Sequence, residues 1–166
     1  MKKVRRIVVL VIVATALCTN SLSASTFAVN GPNLLQNGDF EHGTLGIDSL
    51  WHVGNWGTNT FVKGLTATSA HTGLRSARFE YTSYTSGDAK WIYDYFSPVT
   101  PGKNYHYEQW YRTNLPSKVQ VEYKLSNGSY SYAFVQSLPA SVSQWQLLSL
   151  DRVAPAGAVE MRAYQS

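Results

Sequence analysis

Beyond residue 28 the chain alternates apolar and polar side chains with a period of two, in short runs broken by turn residues. Lys118 to Leu125, KVQVEYKL, is the clearest run: Val119, Val121, Tyr123 and Leu125 fall on one face, Lys118, Gln120, Glu122 and Lys124 on the other. Asn104 to Arg112 alternates in the same way, setting Tyr105, Tyr107 and Tyr111 against His106, Glu108, Trp110 and Arg112. Ser76 to Tyr81, Ala89 to Phe96, Ser129 to Gln136, Trp145 to Leu150 and Val159 to Tyr164 also read as strands. Asn33 to Leu35 and Phe61-Val62 read as shorter ones. Turn residues separate them: Asn37-Gly38, Val99-Thr100-Pro101-Gly102 and, as the strongest hairpin dipeptide, Asn127-Gly128. No stretch of helical length keeps an apolar face without Gly, Pro or β-branched interruption. About eight strands at such intervals predict an all-β sandwich of two antiparallel sheets. With no linker in view, residues 29–166 read as a single domain.

The first 28 residues follow a different pattern. Lys2, Lys3, Arg5 and Arg6 precede an apolar run, IVVLVIVATALC at residues 7–18, and small residues then lead to cleavage positions after Ala24 or Ala28. This is the pattern of a secretory signal peptide. The run is shorter than the roughly 20 apolar residues that span a bilayer. Leu17 stands where lipoprotein processing at Cys18 would want a small residue. The expectation is a secreted, extracellular domain with no membrane attachment after cleavage.

Charge changes the picture only once the leader is set aside. The formal net charge is +4, and Lys2, Lys3, Arg5 and Arg6 supply all of it, so residues 29–166 are balanced. No basic block remains to neutralise phosphates, and nucleic acid is excluded as the expected partner. The only cysteine, Cys18, is in the leader, so no disulfide braces the domain.

Candidate chemistry lies in the rings. Five Trp, eleven Tyr and six Phe are more than a core needs, and Tyr and Trp join a flat apolar face to a polar handle suited to sugars. Trp56 sits among Gly54, Asn55, Gly57 and Asn59, where a loop Trp has little core purpose. Trp91 and Tyr93 share a strand face that serves either as a sugar-tracking row or as a core layer, with Tyr95 assigned to the core. Trp110 shares its face with Glu108 and Arg112, a stacking plane beside charged hydrogen-bonding groups, or else core beside a solvated ion pair. Tyr132 alternates out of the hairpin after Asn127-Gly128. Trp145, Phe40 and Tyr123 are expected in the core. His42, His52, His71 and His106 lack metal-ligand spacing. No nucleophile elbow, phosphate loop or supported pair of acids is present, so no catalytic residues are expected.

The order of motifs adds a resemblance. NLLQNGDFEHG at Asn33 to Gly43, a Trp at 51 or 56, AHTGLRSARFE at Ala70 to Glu80, VTPGKNYHYEQWYR at Val99 to Arg112, LPASVSQWQ and APAGAVEM follow one another. Together they resemble the jelly-roll carbohydrate-binding modules (galactose-binding-domain-like sandwiches) attached to xylanases, glucanases and related enzymes. NWGTNT and YTSYTSGDAKW are similar to a subgroup found before polysaccharide deacetylase or glycoside hydrolase domains. The resemblance covers nearly all of residues 29–166. It departs at the end: such modules close with a Gly-rich turn and an acidic pair, whereas this sequence ends at MRAYQS, so a C-terminal strand is expected to be missing.

The resemblance implies non-catalytic binding of a polysaccharide or oligosaccharide, by a monomer or as part of a larger multidomain glycan-active enzyme. It also implies a structural Ca²⁺ with oxygens from Asp39 and Glu41 and help near His71 and Thr72. The alternative expectation is a structural or protein-contact β-sandwich of the cell surface.

Overall fold

The computed structural model describes residues 6–11, 31–42 and 50–166. The expected cleavage positions and Cys18 lie outside the described residues. Among the described residues there are eleven strands: β1 (Arg6–Val11), β2 (Trp51–Trp56), β3 (Asn59–Thr66), β4 (Ser76–Tyr84), β5 (Asp88–Tyr93), β6 (Ser97–Pro98), β7 (Asn104–Thr113), β8 (Ser117–Leu125), β9 (Tyr130–Leu138), β10 (Ser141–Val153) and β11 (Ala158–Gln165). A five-stranded sheet runs β10-β7-β1-β4-β3, and a six-stranded sheet runs β2-β5-β11-β8-β9 with β6 added beside β11. Every recorded strand pairing is antiparallel.

Period-two alternation sets what faces inward. In β7, Gln109, Tyr111 and Thr113 are buried, and in β8 Val119, Val121 and Tyr123 are buried. Tyr111, Val119, Val121 and Tyr123 meet Leu148 and Leu150 of β10 in one core cluster. A second cluster is almost wholly aromatic: Phe40, Trp51, Phe79, Tyr81, Trp91 and Tyr93. Its rings pack tilted or edge-on, with Phe40–Trp51 at 5.2 Å, Trp51–Tyr93 at 5.1 Å and Phe79–Tyr81 at 4.7 Å. Each such contact adds about 1 kcal/mol beyond area burial. Between the clusters lies a polar chain: the Tyr107 hydroxyl donates to Gln109 at 2.6 Å, Gln109 donates to Gln165, and Gln165 donates to Ser117 at 2.9 Å. Burial pushes the Tyr107 phenol well up, so it remains a neutral donor.

Two sequence expectations change here. Asn33 to Leu35 forms no strand; Ser97 instead donates its hydroxyl to the Leu34 carbonyl at 3.2 Å. Trp51–Trp56 is a strand that the Gly-interrupted pattern concealed. Arg6–Val11, within the leader's basic and apolar stretch, pairs with both β4 and β7 in the five-stranded sheet.

The chain crosses between sheets twice at one end. Gly57-Thr58 leads from β2 to β3, and residues 85–87 lead from β4 back to β5. The crossings touch: Thr85 N–H and Ser86 N–H donate to the Thr58 carbonyl at 2.9 and 3.2 Å. Gly57 (φ 87°) and Gly87 (φ 93°) take left-handed backbone there. A Cβ on Gly87 would stand 1.9 Å from the Trp56 carbonyl oxygen.

Candidate carbohydrate-binding face

That crossing is what presents Trp56. The residue is the last of β2, its carbonyl is held by the Asn59 side-chain amide at 2.9 Å, and it is 62% exposed. Its register partner is Asp88, on the outward row of β5. The same outward face continues across the six-stranded sheet. Asp88 pairs with Lys90 at 3.3 Å, and the Lys90 ammonium lies 5.1 Å from the Tyr164 ring centre. Arg162 stands opposite Glu122, and Glu122 opposite Tyr132. Arg162 donates from Nε to Glu122 at 2.6 Å while its guanidinium lies 4.4 Å from the Phe96 ring centre. Phe96 meets Tyr130 at 5.8 Å.

The result is a diagonal path from Trp56 on β2 to Tyr132 on β9: it crosses four interstrand gaps, roughly 19 Å at ~4.8 Å each, and also runs along the strands, because Asp88, opposite Trp56, stands four residues before Ile92, opposite Tyr164. Its ends are exposed rings: Tyr132 is 61% and Tyr130 50% exposed. Its middle is a carboxylate, Glu122, only 4% exposed and held by Arg162. The hydrogen bond to Glu122, followed by the carboxylate's charge, raises the Tyr132 phenol above its usual range. Burial, followed by the charge of Glu122, does the same to Tyr164. Both phenols stay neutral donors at physiological pH. Flat apolar faces flanking a fixed, oriented set of donors and acceptors suit a ligand with hydroxyls at its rim and C–H faces between them.

The other sequence candidates are dispersed. Trp91 and Tyr93 are 6% and 2% exposed, so the expected ring row is core, a correction to its surface reading. Both rings point into the sandwich, where Phe40 and Ala77, Phe79 and Tyr81 of β4 join them in one cluster. Tyr95, assigned to the core, is instead exposed beside Tyr93 at 6.0 Å. Trp110, Glu108 and Arg112 occupy the outer face of the opposite, five-stranded sheet. Trp110 there carries the imidazole of His71 stacked at 3.8 Å. Arg112 donates to Ser69 Oγ at 2.6 Å and lies 5.5 Å from the ring centre of Trp145, which is half-buried on this face and not in the core. The loop carrying Ser69 and His71 therefore closes over Trp110 and Arg112. Glu108 faces His106 at 3.0 Å, and Asp151 holds the other imidazole nitrogen at 3.0 Å.

Three of the four calcium candidates have partners within the chain. Glu41 Oε1 accepts from the Leu74 and Arg75 N–H groups at 2.8 and 2.9 Å, and Asp39 Oδ1 accepts from Glu41 N–H at 3.3 Å. His71 is stacked on Trp110, and Thr72 is exposed. Among the described residues no three His, Cys, Asp or Glu side chains form a group that could hold a metal ion. The Glu41 carboxylate is arranged as a backbone clamp on the loop that carries Leu74 and Arg75.

Sequence reasoning missed Glu122, Arg162, Tyr164 and Lys90. The alternation placed Glu122 and Lys90 outward, but which strands become neighbours is set by topology, and β8, β11 and β5 are adjacent only in the fold.

The fold is an all-β one of packed antiparallel sheets bearing an exposed aromatic strip, and comparison with known proteins agrees on the fold. No family model and no curated protein matches the sequence. Among solved structures, the chain is similar to the CBM22-1–GH10 modules of Clostridium thermocellum xylanase 10B, solved with xylohexaose. The TM-score is 0.50 at 17% identity, over 69% of this chain and 23% of that one. It is also similar to the enzymatically active domain of bacteriophage CBA120 tailspike protein 4, with TM-score 0.57 at 17% identity, over 80% of this chain and 19% of that one. A C-terminal family 22 carbohydrate-binding module of the same xylanase gives TM-score 0.47 at 16% identity, over 73% of this chain and 78% of that one. The chain thus spans about a fifth to a quarter of the xylanase and tailspike chains.

Proposed function

We propose that this chain is a non-catalytic, secreted jelly-roll module that binds polysaccharide or oligosaccharide along the outer face of its six-stranded sheet. The observation that carries this reading is the strip itself: Trp56 and Tyr132 exposed at its two ends, with the buried Glu122–Arg162 pair fixed between them. Trp56 and Tyr132 stack on sugar ring faces. Tyr132, Tyr164 and Arg162 orient ring hydroxyls, and Lys90 and Asp88 lie on the same strip. Such weak, multi-point contact suits a domain tethered to a glycan-active enzyme, where linkage raises effective concentration.

Xylan is the first ligand to test, because the similar xylanase modules were solved with xylohexaose. Affinity electrophoresis through xylan, mixed-linkage glucan and chitosan gives the readout. Retardation in at least one gel, lost in Trp56→Ala and Tyr132→Ala at unchanged melting temperature, is the expected result. Equal migration of all three proteins in every gel refutes the reading.

The protein-contact alternative is favoured by one feature only. β10 is an edge strand of 13 residues with Val142, Leu147 and Val153 exposed. Light scattering separates the two, since an edge-paired chain has a mass above the monomer.

A further inference from the structure

The strip carries charge of both signs, and each charge on it is closed on an opposite one. Asp88 and Lys90, two residues apart on β5, stand at 3.3 Å. Arg162 meets Glu122 at 2.6 Å, and the Lys124 ammonium donates to the Glu160 carboxylate at 2.8 Å. Register fixes the last two pairs, with Arg162 opposite Glu122 and Glu160 opposite Lys124 across β8 and β11. The Tyr132 phenol adds a hydrogen bond to Glu122. Two charges of opposite sign share the outward face off the strip. They are Lys118, opposite Ser166 at the start of β8, and Asp94, which pairs with His52.

Pairing decides what such a surface accepts. A ligand carboxylate brought to Lys90 or Arg162 meets the pair's own carboxylate as well, and a ligand ammonium meets the pair's own cation. Either one gives up hydration with no free counter-charge to replace it. A hydroxyl carries no such penalty. It donates to a carboxylate oxygen or accepts from a remaining N–H without displacing either partner. The pair nearest the exposed indole is the most telling. Asp88 stands opposite Trp56 in the β2–β5 register, and its Oδ1 is out of solvent without a hydrogen bond, so the charge of Lys90 is its compensation.

Resting on the glycan-binding reading above, we infer that the strip selects uncharged glycans, and that Asp88 sets this selection by neutralising Lys90 beside Trp56. Neutral pentose and hexose chains and N-acetylated amino sugars are accepted. Polyuronates and free-amine glycans are refused, by repulsion built into the surface and not by poor fit alone.

Titration calorimetry with hexasaccharides in mildly acidic buffer tests this. Xylohexaose, cellohexaose and the N-acetylglucosamine hexamer are the neutral probes, the galacturonate hexamer the anion and the glucosamine hexamer the cation. At least one neutral hexamer should bind, with little dependence on salt, and both charged ones should bind about tenfold more weakly or worse. Asp88→Asn leaves Lys90 uncompensated. It should raise galacturonate affinity relative to the neutral ligand by about tenfold at low salt, a gain that high salt removes. Lys90→Gln, the mirror variant, should move the ratio toward the glucosamine hexamer. Lys118→Gln, off the strip, should leave both ratios where they are. Melting curves establish that each variant is folded. Wild-type protein that binds a charged hexamer as tightly as the best neutral one overturns the inference and leaves glycan binding standing. So do unmoved ratios in folded Asp88→Asn or Lys90→Gln, or a shift in Lys118→Gln as large as theirs. Binding of no hexamer of any charge removes the glycan reading and this inference together.

Discussion

The imidazole of His71 lies flat on the indole of Trp110, ring centres 3.8 Å apart and planes 14° from parallel. Trp145 meets the same imidazole edge-on at 5.9 Å. A Trp whose face is covered by the protein's own ring is not open to a sugar on that face. The stack therefore gives Trp110 a part in holding the loop over the five-stranded sheet, and closes that face of the ring to the proposed ligand. Trp110→Ala should lower stability by about 2 kcal/mol, below the fully buried range because the ring is half-exposed, while glycan retardation is kept. Trp56→Ala should do the reverse. Parallel denaturant melts and affinity gels on the two variants check both halves; lost binding in Trp110→Ala at unchanged stability would move the site to the other sheet.

Two histidines on the five-stranded sheet respond to pH in opposite senses. Burial opposes protonation of His106, but the hydrogen bonds its ring donates to Glu108 and Asp151, with their charge, outweigh it, and its pKa is raised above 6.5. Its contribution is complete below pH 6.5 and is lost as pH rises through the higher folded value. Burial lowers the pKa of His71 below 6.5, and its Nδ1 is buried without a partner. It costs nothing above pH 6.5 and costs stability as pH falls from there toward the lower folded value. A melting-temperature profile over pH should flatten on its alkaline side in His106→Gln and on its acid side in His71→Phe. Both substitutions leave the binding face untouched, so glycan affinity should not follow either profile.

Glu122 is the buried charge of the strip, and Arg162 is its cationic partner at 2.6 Å. Removing one partner of a buried pair leaves the other uncompensated. Arg162→Met should therefore cost about 3 kcal/mol, and glycan binding should weaken because Tyr132 loses its fixed acceptor geometry. Replacing both, Glu122→Leu with Arg162→Met, should recover much of the stability but none of the binding. Urea melts of the single and double variants read the first effect, and titration calorimetry with the bound glycan reads the second. A double variant no more stable than Arg162→Met alone contradicts the account.

The strands were legible in the sequence because period two survives wherever one face is buried. The faces of β7 and β8 come out as alternation predicts, down to Tyr111 and Val121 facing in. β2 was concealed because Gly54 interrupts its pattern; a Cβ there would meet Ile92 Cδ1 at 2.8 Å, so the glycine makes room for a neighbour that only the fold supplies. Alternation also gives each strand two faces without saying which is inside. Trp91 and Tyr93 were ambiguous for that reason, and Phe40 and β4 decide the matter by covering them. Trp56 was legible on other grounds, since glycine and asparagine on both sides mark an exposed turn. Its partners Glu122 and Arg162 were not, because 40 residues separate them and the β8–β11 register alone brings them together.

The turn that presents Trp56 makes the last prediction. Gly57 and Gly87 lie back to back where the chain crosses between sheets, and a Cβ on Gly57 would stand 2.6 Å from Gly87 Cα. At Gly87 the added methyl would meet the Trp56 carbonyl at 1.9 Å, on a residue whose φ of 93° already disfavours a side chain. Two independent penalties act at one position, strain in the left-handed region and a backbone clash that no rotamer relieves. Gly87→Ala should cost about 3 kcal/mol and displace Trp56 from the strip. Gly128, also at positive φ but with open space around its Cα, supplies the control. Gly128→Ala should lose about 1 kcal/mol from backbone strain alone and retain full glycan retardation. Melting curves and affinity gels on the pair distinguish a presenting turn from a merely strained one. Equal losses of binding in both variants would show that the crossing does not position Trp56.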